Sequence, residues 1–110
     1  MSKMEQNLLE AQRRVADFLA AHELQAPLEV RLLDLVSEVG ELAKAALTAS
    51  EYGRAPFAVT EAWREELGDV TFSLLSVAVI SEVDLTTALD AALDKMRRRL
   101  AATGKAASGR

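Results

Sequence analysis

The chain has 110 residues, enough for one domain with one core, and its 50% hydrophobic and 27% charged residues are typical of a globular protein. Only 5 glycines, 2 prolines and 5% aromatic residues argue against a turn-rich β fold, and the net charge of −4 argues against nucleic acid or an anionic membrane as a partner. The lack of cysteine excludes disulfides and thiol chemistry, and together with the lack of a signal-peptide segment it indicates a cytoplasmic protein.

The first two helices are predicted from apolar residues that recur at helical spacing. The first helix runs from about residue 4 to residue 21. The second begins at Pro27, which suits a first helical turn, and stops near Ser50. The segment 51–59 contains glycine and proline and is predicted to be a connecting loop.

The third helix is predicted to be the most buried one. Thr60 is a suitable N-cap, and nearly every face of the segment 67–80 is apolar. One chain of this length hardly supplies enough neighbours to cover such a helix. We therefore expect a homodimer in which the third helices meet, or a dimer of such dimers.

The fourth helix is predicted to begin with Asp84 or Thr86 as its cap and to continue to about Leu100. Residues 1–102 then form a single all-α domain, a four-helix bundle that dimerisation completes. Residues 103–110 are expected to be a flexible tail.

Two pairs of acidic residues lie in apolar helical segments. Glu38 and Glu41 are on the second helix, and Glu66 and Asp69 are on the third. Side chains at i and i+3 share one face of a helix, so each pair places like charges side by side unless a cation lies between them. Antiparallel packing of the two helices would bring the four carboxylates to one site. Oxygen ligands without cysteine or histidine favour a hard ion, Mg²⁺ or Mn²⁺.

Acidic residues three apart also occur by chance on solvated helices, so simpler explanations stand beside the metal site. Asp34, for example, is expected to pair with Arg31, three residues earlier. Two acidic pairs at equivalent positions are less easily explained by chance. Gly40 and Gly68 lie inside the two motifs. Each glycine costs up to about 1 kcal/mol of helix stability relative to alanine, so their presence predicts close helix approach or ligand access.

The order of these motifs resembles a known family. Over about residues 28–100 the chain is similar to the MazG-like all-α nucleoside triphosphate pyrophosphohydrolases. The similarity consists of ExxE on one helix, a loop, ExxD at the start of a buried helix, and the segment 84–99. The resemblance implies helical oligomers built on dimers that use Mg²⁺ to hydrolyse a nucleoside triphosphate to the monophosphate and pyrophosphate. The family's metal ligands then correspond to Glu38, Glu41, Glu66 and Asp69.

One position departs from the family motif. The fuller motif reads EExxE, and Ser37 stands where the first glutamate would be, as in some dCTP pyrophosphatase-like relatives. The departure leaves open the general base, the number of metal ions and the preferred base and sugar. Phosphoribosyl-ATP pyrophosphohydrolases and dimeric dUTPases are related alternatives.

Candidates for substrate contact lie outside the acidic motifs. One basic face of the fourth helix consists of Lys95, Arg98 and Arg99. The resemblance implies that these residues contact phosphate. The alternative is that they stabilise the C-terminal end of the helix. Lys44 is a further phosphate candidate, although a surface ion pair is the preferred explanation. Trp63 is the first candidate for stacking on the base, with packing in a core or interface as its alternative.

The charge of a triphosphate dictates the mechanism that we expect. Metal ions have to neutralise both the phosphates and the carboxylates before water can attack phosphorus in line, with pyrophosphate leaving. Glu38 is the preferred general base. The main rival is a non-enzymatic dimeric helical adaptor, because fold alone does not predict turnover. A di-iron enzyme is disfavoured, since His22 is the only histidine.

Overall fold

The computed structural model describes residues 3–104, and within this range the chain forms four α-helices, one short 3₁₀ turn and no strand. The elements are α1 Lys3–Ala21, α2 Leu28–Ala49, the 3₁₀ turn Glu51–Gly53, α3 Glu61–Ile80 and α4 Leu85–Thr103. The all-α class predicted from the sequence is confirmed. Thr103 of the predicted tail is still helical, and residues 105–110 lie outside the described residues.

Local hydrogen bonds fix the ends of α3 and α4. The Thr60 hydroxyl accepts a hydrogen bond from the Trp63 N–H at 3.1 Å, which confirms Thr60 as the N-cap of α3. The Asp84 carboxylate accepts from the Thr86 N–H at 2.9 Å, so Asp84 caps α4. At the other end of α4, Gly104 has a left-handed φ of 76°, as helix C-caps often require.

The antiparallel pair of α2 and α3 is the part of the fold that carries both acidic motifs. Side chains at buried positions here are mostly small, with Ala45 on α2 and Ser73 and Ser76 on α3, and small side chains allow two helix backbones to pack closely. The Ser76 hydroxyl, which is fully buried, donates to the Phe72 carbonyl at 2.8 Å and so leaves no unpaired donor. α1 packs across α3 and also contacts α4.

The apolar core of a single chain is small. Among the side chains that the structure describes, the buried apolar residues are Leu19, Ala45, Leu75 and Ala78. The middle of α3 is buried as expected, but Leu67 and Leu74 on the same helix are 40% and 44% exposed. A chain of this size with so few buried apolar side chains gains much from a partner.

Two helices present exposed apolar faces with coiled-coil spacing. The α2 apolar face consists of Leu33, Val36, Gly40, Ala43 and Leu47, and the α4 apolar face consists of Leu89, Leu93, Met96 and Leu100. Leu33 and Val36 are 70% and 68% exposed, and the four residues on α4 are between 40% and 52% exposed. Alternating steps of three and four residues are typical of a stripe that packs against another helix.

α4 leaves the rest of the fold through a turn that α1 holds in place. The side-chain amide of Gln12 donates to the Val83 carbonyl at 2.7 Å, and its oxygen accepts from the Leu85 N–H at 3.0 Å. The axes of α3 and α4 meet at 104°, so α4 does not run back along α3. Within the described range no helix is by itself long and apolar enough to cross a membrane; α3 and α4 reach that length and composition only as a bent pair.

Candidate metal centre and active site

Three of the four predicted ligand carboxylates come together where α2 faces the first turns of α3. One oxygen atom from each of Glu38, Glu66 and Asp69 lies within 4.8 Å of the other two, and these residues are called the carboxylate group below. Glu66 and Asp69 share a face of α3 because they are three residues apart. The antiparallel course of α2 then places Glu38 opposite them.

Glu66 is the least favourably placed member of the carboxylate group. Its Oε2 atom is buried and has no hydrogen-bond partner among the described residues. Burial is the largest cause that raises the pKa of Glu66 above its ordinary value of 4.5. Further increases in this pKa come, in decreasing order, from the negative charges of Asp69, Glu38, Glu41 and Glu65. A bound cation would relieve both the missing partner and the repulsion.

The carboxylate group fits a small, hard divalent cation. Around an octahedral ion with metal–oxygen distances of about 2.1 Å, adjacent ligand oxygens lie about 3 Å apart and opposite ones about 4 Å apart. The three oxygens, already within 4.8 Å of one another, need only small side-chain movements to reach that spacing. All donors in the group are carboxylate oxygens, which suit Mg²⁺ or Mn²⁺ better than zinc or copper.

A cavity of about 190 Å³ adjoins the carboxylate group and shares Glu66 with it. This Lys44 cavity is lined by Glu41, Lys44, Ala45, Thr48, Ala62 and Glu66. Glu41 is exposed on the cavity wall and is not one of the three carboxylates that converge. Its assignment as a metal ligand therefore stays a prediction.

Lys44 lines this cavity, and its ammonium group has no carboxylate partner among the described residues. In the described range the ion pairs are Arg31 with Asp34, at 3.7 Å, and Arg98 with Asp94. The pairing of Arg31 with Asp34 is the one predicted from the sequence. The surface ion pair expected for Lys44 is absent from that range, so the simpler explanation of this residue is wrong.

The basic residues of α4 lie away from the carboxylate group of their own chain. Asp69 is eleven residues before the end of α3, about 16 Å at 1.5 Å per residue, and α4 then turns off at 104°. Arg98 pairs with Asp94, Arg99 is half-buried and Lys95 is exposed. Phosphate contact by Lys95, Arg98 and Arg99 stays a prediction.

Trp63 packs against an aromatic neighbour from the preceding loop. Its ring and that of Phe57 meet edge to face, with centroids 5.1 Å apart and planes at 76°. Trp63 is half-buried and is not among the residues that line the Lys44 cavity. Its proposed stacking on a base also stays a prediction.

The two motif glycines face open space in this chain. No atom of another described element lies within 4 Å of the position that a Cβ would take at Gly40 or Gly68. Close approach of helices within the chain, one of the two explanations predicted for these glycines, is therefore wrong. Access for a ligand, or for a helix of another copy, fits the open space.

The described residues form an all-α protein with a carboxylate centre suited to a divalent cation. Residues 27–102 match the MazG nucleotide pyrophosphohydrolase domain, and the chain belongs to this family. The match includes α2, α3 and most of α4, and with them the carboxylate group and the Lys44 cavity. Membership supports a nucleotide pyrophosphohydrolase activity in general and dependence on a divalent metal. No curated protein and no solved structure matches the chain.

The Lys44 cavity is a part of the candidate site that was not predicted from the sequence. Glu41, Lys44 and Thr48 are spaced i, i+3 and i+7, which places them on one face of α2. That spacing was a signal for a shared polar face. The opposite wall comes from Ala62 and Glu66 of α3, so the cavity itself depends on how the two helices pack.

Proposed function

We propose that the protein hydrolyses nucleoside triphosphates to nucleoside monophosphates and pyrophosphate, with Mg²⁺ as its metal and Mn²⁺ as a substitute. One observation supports this most directly. A buried oxygen of Glu66 has no partner, and it lies among converging carboxylates inside a MazG domain. Such an arrangement is unfavourable in a purely structural protein and favourable in one that binds cations.

The carboxylate group would hold the metal, with Glu41 as a fourth ligand candidate from the adjoining turn of α2. When bound, the metal supplies the positive charge that lets a polyphosphate enter an acidic site. Glu38 is proposed as the base that takes a proton from the attacking water while a bond forms to phosphorus and pyrophosphate leaves. Trp63 is proposed to contact the base.

The active form is proposed to be a homodimer, alone or as half of a tetramer. The exposed apolar faces on α2 and α4 support this, and they move the expected interface away from α3. α2 carries four acidic and two basic residues, whereas α4 carries two acidic and four basic ones. Pairing of α4 with α2 of the partner is therefore favoured by charge over pairing of α2 with its own copy.

The dimer also bears on the predicted phosphate contacts of α4. Because α4 points away from the carboxylate group of its own chain, Lys95, Arg98 and Arg99 would reach a substrate from the partner subunit. Nucleic acid and membranes are not proposed as partners. A cytoplasmic location stays a prediction.

The proposed reaction is tested with a panel of canonical and damaged ribonucleoside and deoxyribonucleoside triphosphates, with dUTP and phosphoribosyl-ATP included. Each is incubated with Mg²⁺, with Mn²⁺ or with chelator, and pyrophosphate is measured separately from orthophosphate. We expect metal-dependent release of pyrophosphate from at least one substrate.

The outcomes of this panel separate the alternatives. Preference for phosphoribosyl-ATP or dUTP would assign the chain to one of the related activities. Absence of pyrophosphate from every substrate, in protein that Mg²⁺ does not stabilise against heat, would favour a helical adaptor instead.

A further inference from the structure

We propose that the Lys44 cavity is the binding site for the pyrophosphate end of the substrate, with Lys44 as the cation that contacts the β- and γ-phosphates. This inference rests on the proposed function, and it assigns a cation of α2, not of α4, to the leaving group.

The size and lining of the cavity suit phosphate and not a nucleoside. At about 190 Å³ it is smaller than the roughly 300–1,000 Å³ of pockets that enclose a whole small molecule. None of the described residues that line it is aromatic, so these residues offer a base nothing to stack on. A charged, compact group is the part of a nucleotide that fits.

The location of the cavity agrees with this assignment. Glu66 belongs both to the cavity wall and to the carboxylate group, so a ligand in the cavity adjoins any metal held there. Of the two halves of a triphosphate substrate, the nucleoside needs space and apolar contact, and the pyrophosphate needs positive charge. The cavity offers the positive charge of Lys44 next to the metal site.

The charges inside the cavity show why Lys44 matters. Glu41 and Glu66 are both acidic and repel phosphate, so a polyphosphate binds only if cations offset them. A bound metal would offset part of this charge from one side, and Lys44 is the only basic residue among the described residues that line the cavity.

Lys44 also has, among the described residues of the wall, the only side chain with hydrogens free for an anion. The hydroxyl of Thr48 donates its hydrogen to the carbonyl of Lys44 at 3.1 Å. The ammonium of Lys44, in contrast, forms no ion pair within the described range. It carries three donors and can contact phosphate without breaking an existing ion pair.

The test compares Lys44→Met with the wild-type protein at saturating Mg²⁺. Lys44→Arg keeps the charge, and Arg64→Met removes an exposed cation of α3 that does not line the cavity. Loss of a charged hydrogen bond predicts a rise in KM of about 10-fold or more for Lys44→Met, with kcat changed much less. Lys44→Arg should restore most of the affinity, and Arg64→Met should resemble the wild type.

Inhibition by the two products locates the lost contact. Lys44→Met should weaken inhibition by pyrophosphate about as much as it raises KM, and it should leave inhibition by the nucleoside monophosphate unchanged. Equal inhibition by pyrophosphate in wild type and variant, or weaker inhibition by the monophosphate alone, would overturn the assignment. Circular dichroism of each variant establishes that the helices are retained.

A binding measurement separates this proposal from the proposed function. Pyrophosphate with excess Mg²⁺ should raise the melting temperature of wild-type protein and of Arg64→Met, and raise that of Lys44→Met much less. An inactive wild type that still shows this pattern would contradict the reaction but keep the anion site. An active wild type whose Lys44→Met variant is stabilised as strongly would contradict the anion site alone.

Discussion

The α2–α3 pair and α4 consist of helices of similar length that differ in how they pack against the rest of the chain. The pair has buried side chains on both helices, one on α2 and four on α3, and brings three carboxylates within 4.8 Å of one another. α4 has no buried residue, meets α3 at 104° and leaves a stripe of apolar side chains exposed. The acidic residues of the site are on the packed helices, and most of the clustered basic residues are on the projecting one.

A metal site and an assembly interface place different demands on the helices that form them. Metal ligands need positions fixed to a fraction of an ångström, and packed helices hold them better than a projecting arm does. An exposed apolar stripe needs only a partner with a complementary stripe. The comparison therefore predicts that changes on α2 and α3 affect turnover, whereas changes on the α4 apolar face affect assembly.

The largest effect is expected from Asp69→Asn on α3. The change removes one charge from the carboxylate group and keeps the shape of the side chain. Losing a partner that merely orients a metal ligand typically costs about 10- to 100-fold in metal affinity or activity, so losing a ligand should reduce kcat/KM about 100-fold or more. Release of pyrophosphate at saturating Mg²⁺ measures the effect, and circular dichroism checks the helices.

Two neighbouring glutamates serve as comparisons for Asp69. Glu65 is exposed and outside the carboxylate group, so Glu65→Gln should keep nearly full activity. Glu41 lines the Lys44 cavity, and Glu41→Gln should lose less activity than Asp69→Asn. Equal losses in Glu41→Gln and Asp69→Asn would mean that Glu41 moves in to bind the metal, and full activity in Asp69→Asn would contradict the metal site.

A smaller effect, on assembly, is expected from Leu93→Glu in the α4 apolar face. Leu93 is 40% exposed in one chain, so the change should disturb the fold of a monomer little. If α4 packs on a partner, burying the new charge there should weaken the dimer about 30-fold or more, as for a central contact of an interface. Sedimentation over a range of protein concentrations measures the dissociation constant.

Ala91→Glu is the matched control for Leu93→Glu. Ala91 is exposed on the same helix, and a separation of two residues places it on nearly the opposite face. Both variants add one negative charge to α4. A dimer weakened equally by both changes would point to net charge as the cause, and a wild type that stays monomeric at high concentration would contradict the proposed interface.

The sequence predicted those features that depend on residues close together in the chain. The cap at Thr60 and the shared face of Glu66 and Asp69 follow from spacings of three residues. The direction of α4 could not be predicted, because contacts at its start join residues far apart in the chain, such as the hydrogen bond from Gln12 to Val83, 71 residues later. That Glu41 lines a cavity could not be predicted for a similar reason, since the opposite wall of the cavity comes from α3 and depends on how α3 packs against α2.

The smallest effect concerns stability, and it tests whether the α2–α3 pair is built around a cation. The pKa of Glu66 is raised above 4.5, first by burial and then by neighbouring carboxylates, so metal-free folded protein holds this proton more tightly than the unfolded chain does. The resulting stabilisation is fully present below pH 4.5 and is lost as the pH rises through the raised pKa. The Glu66→Gln variant has no carboxyl group to ionise at this position, so it does not lose this stabilisation as the pH rises.

In chelator, the melting temperature of Glu66→Gln relative to wild type should therefore rise as the pH increases from 4.5 and level off above the raised pKa. Above that pKa, Mg²⁺ should raise the melting temperature of the wild type and affect Glu66→Gln much less. Parallel pH profiles for the two proteins would show that the unpaired oxygen of Glu66 imposes no penalty. The reason to expect a cation between α2 and α3 would then be lost, whatever the behaviour of α4.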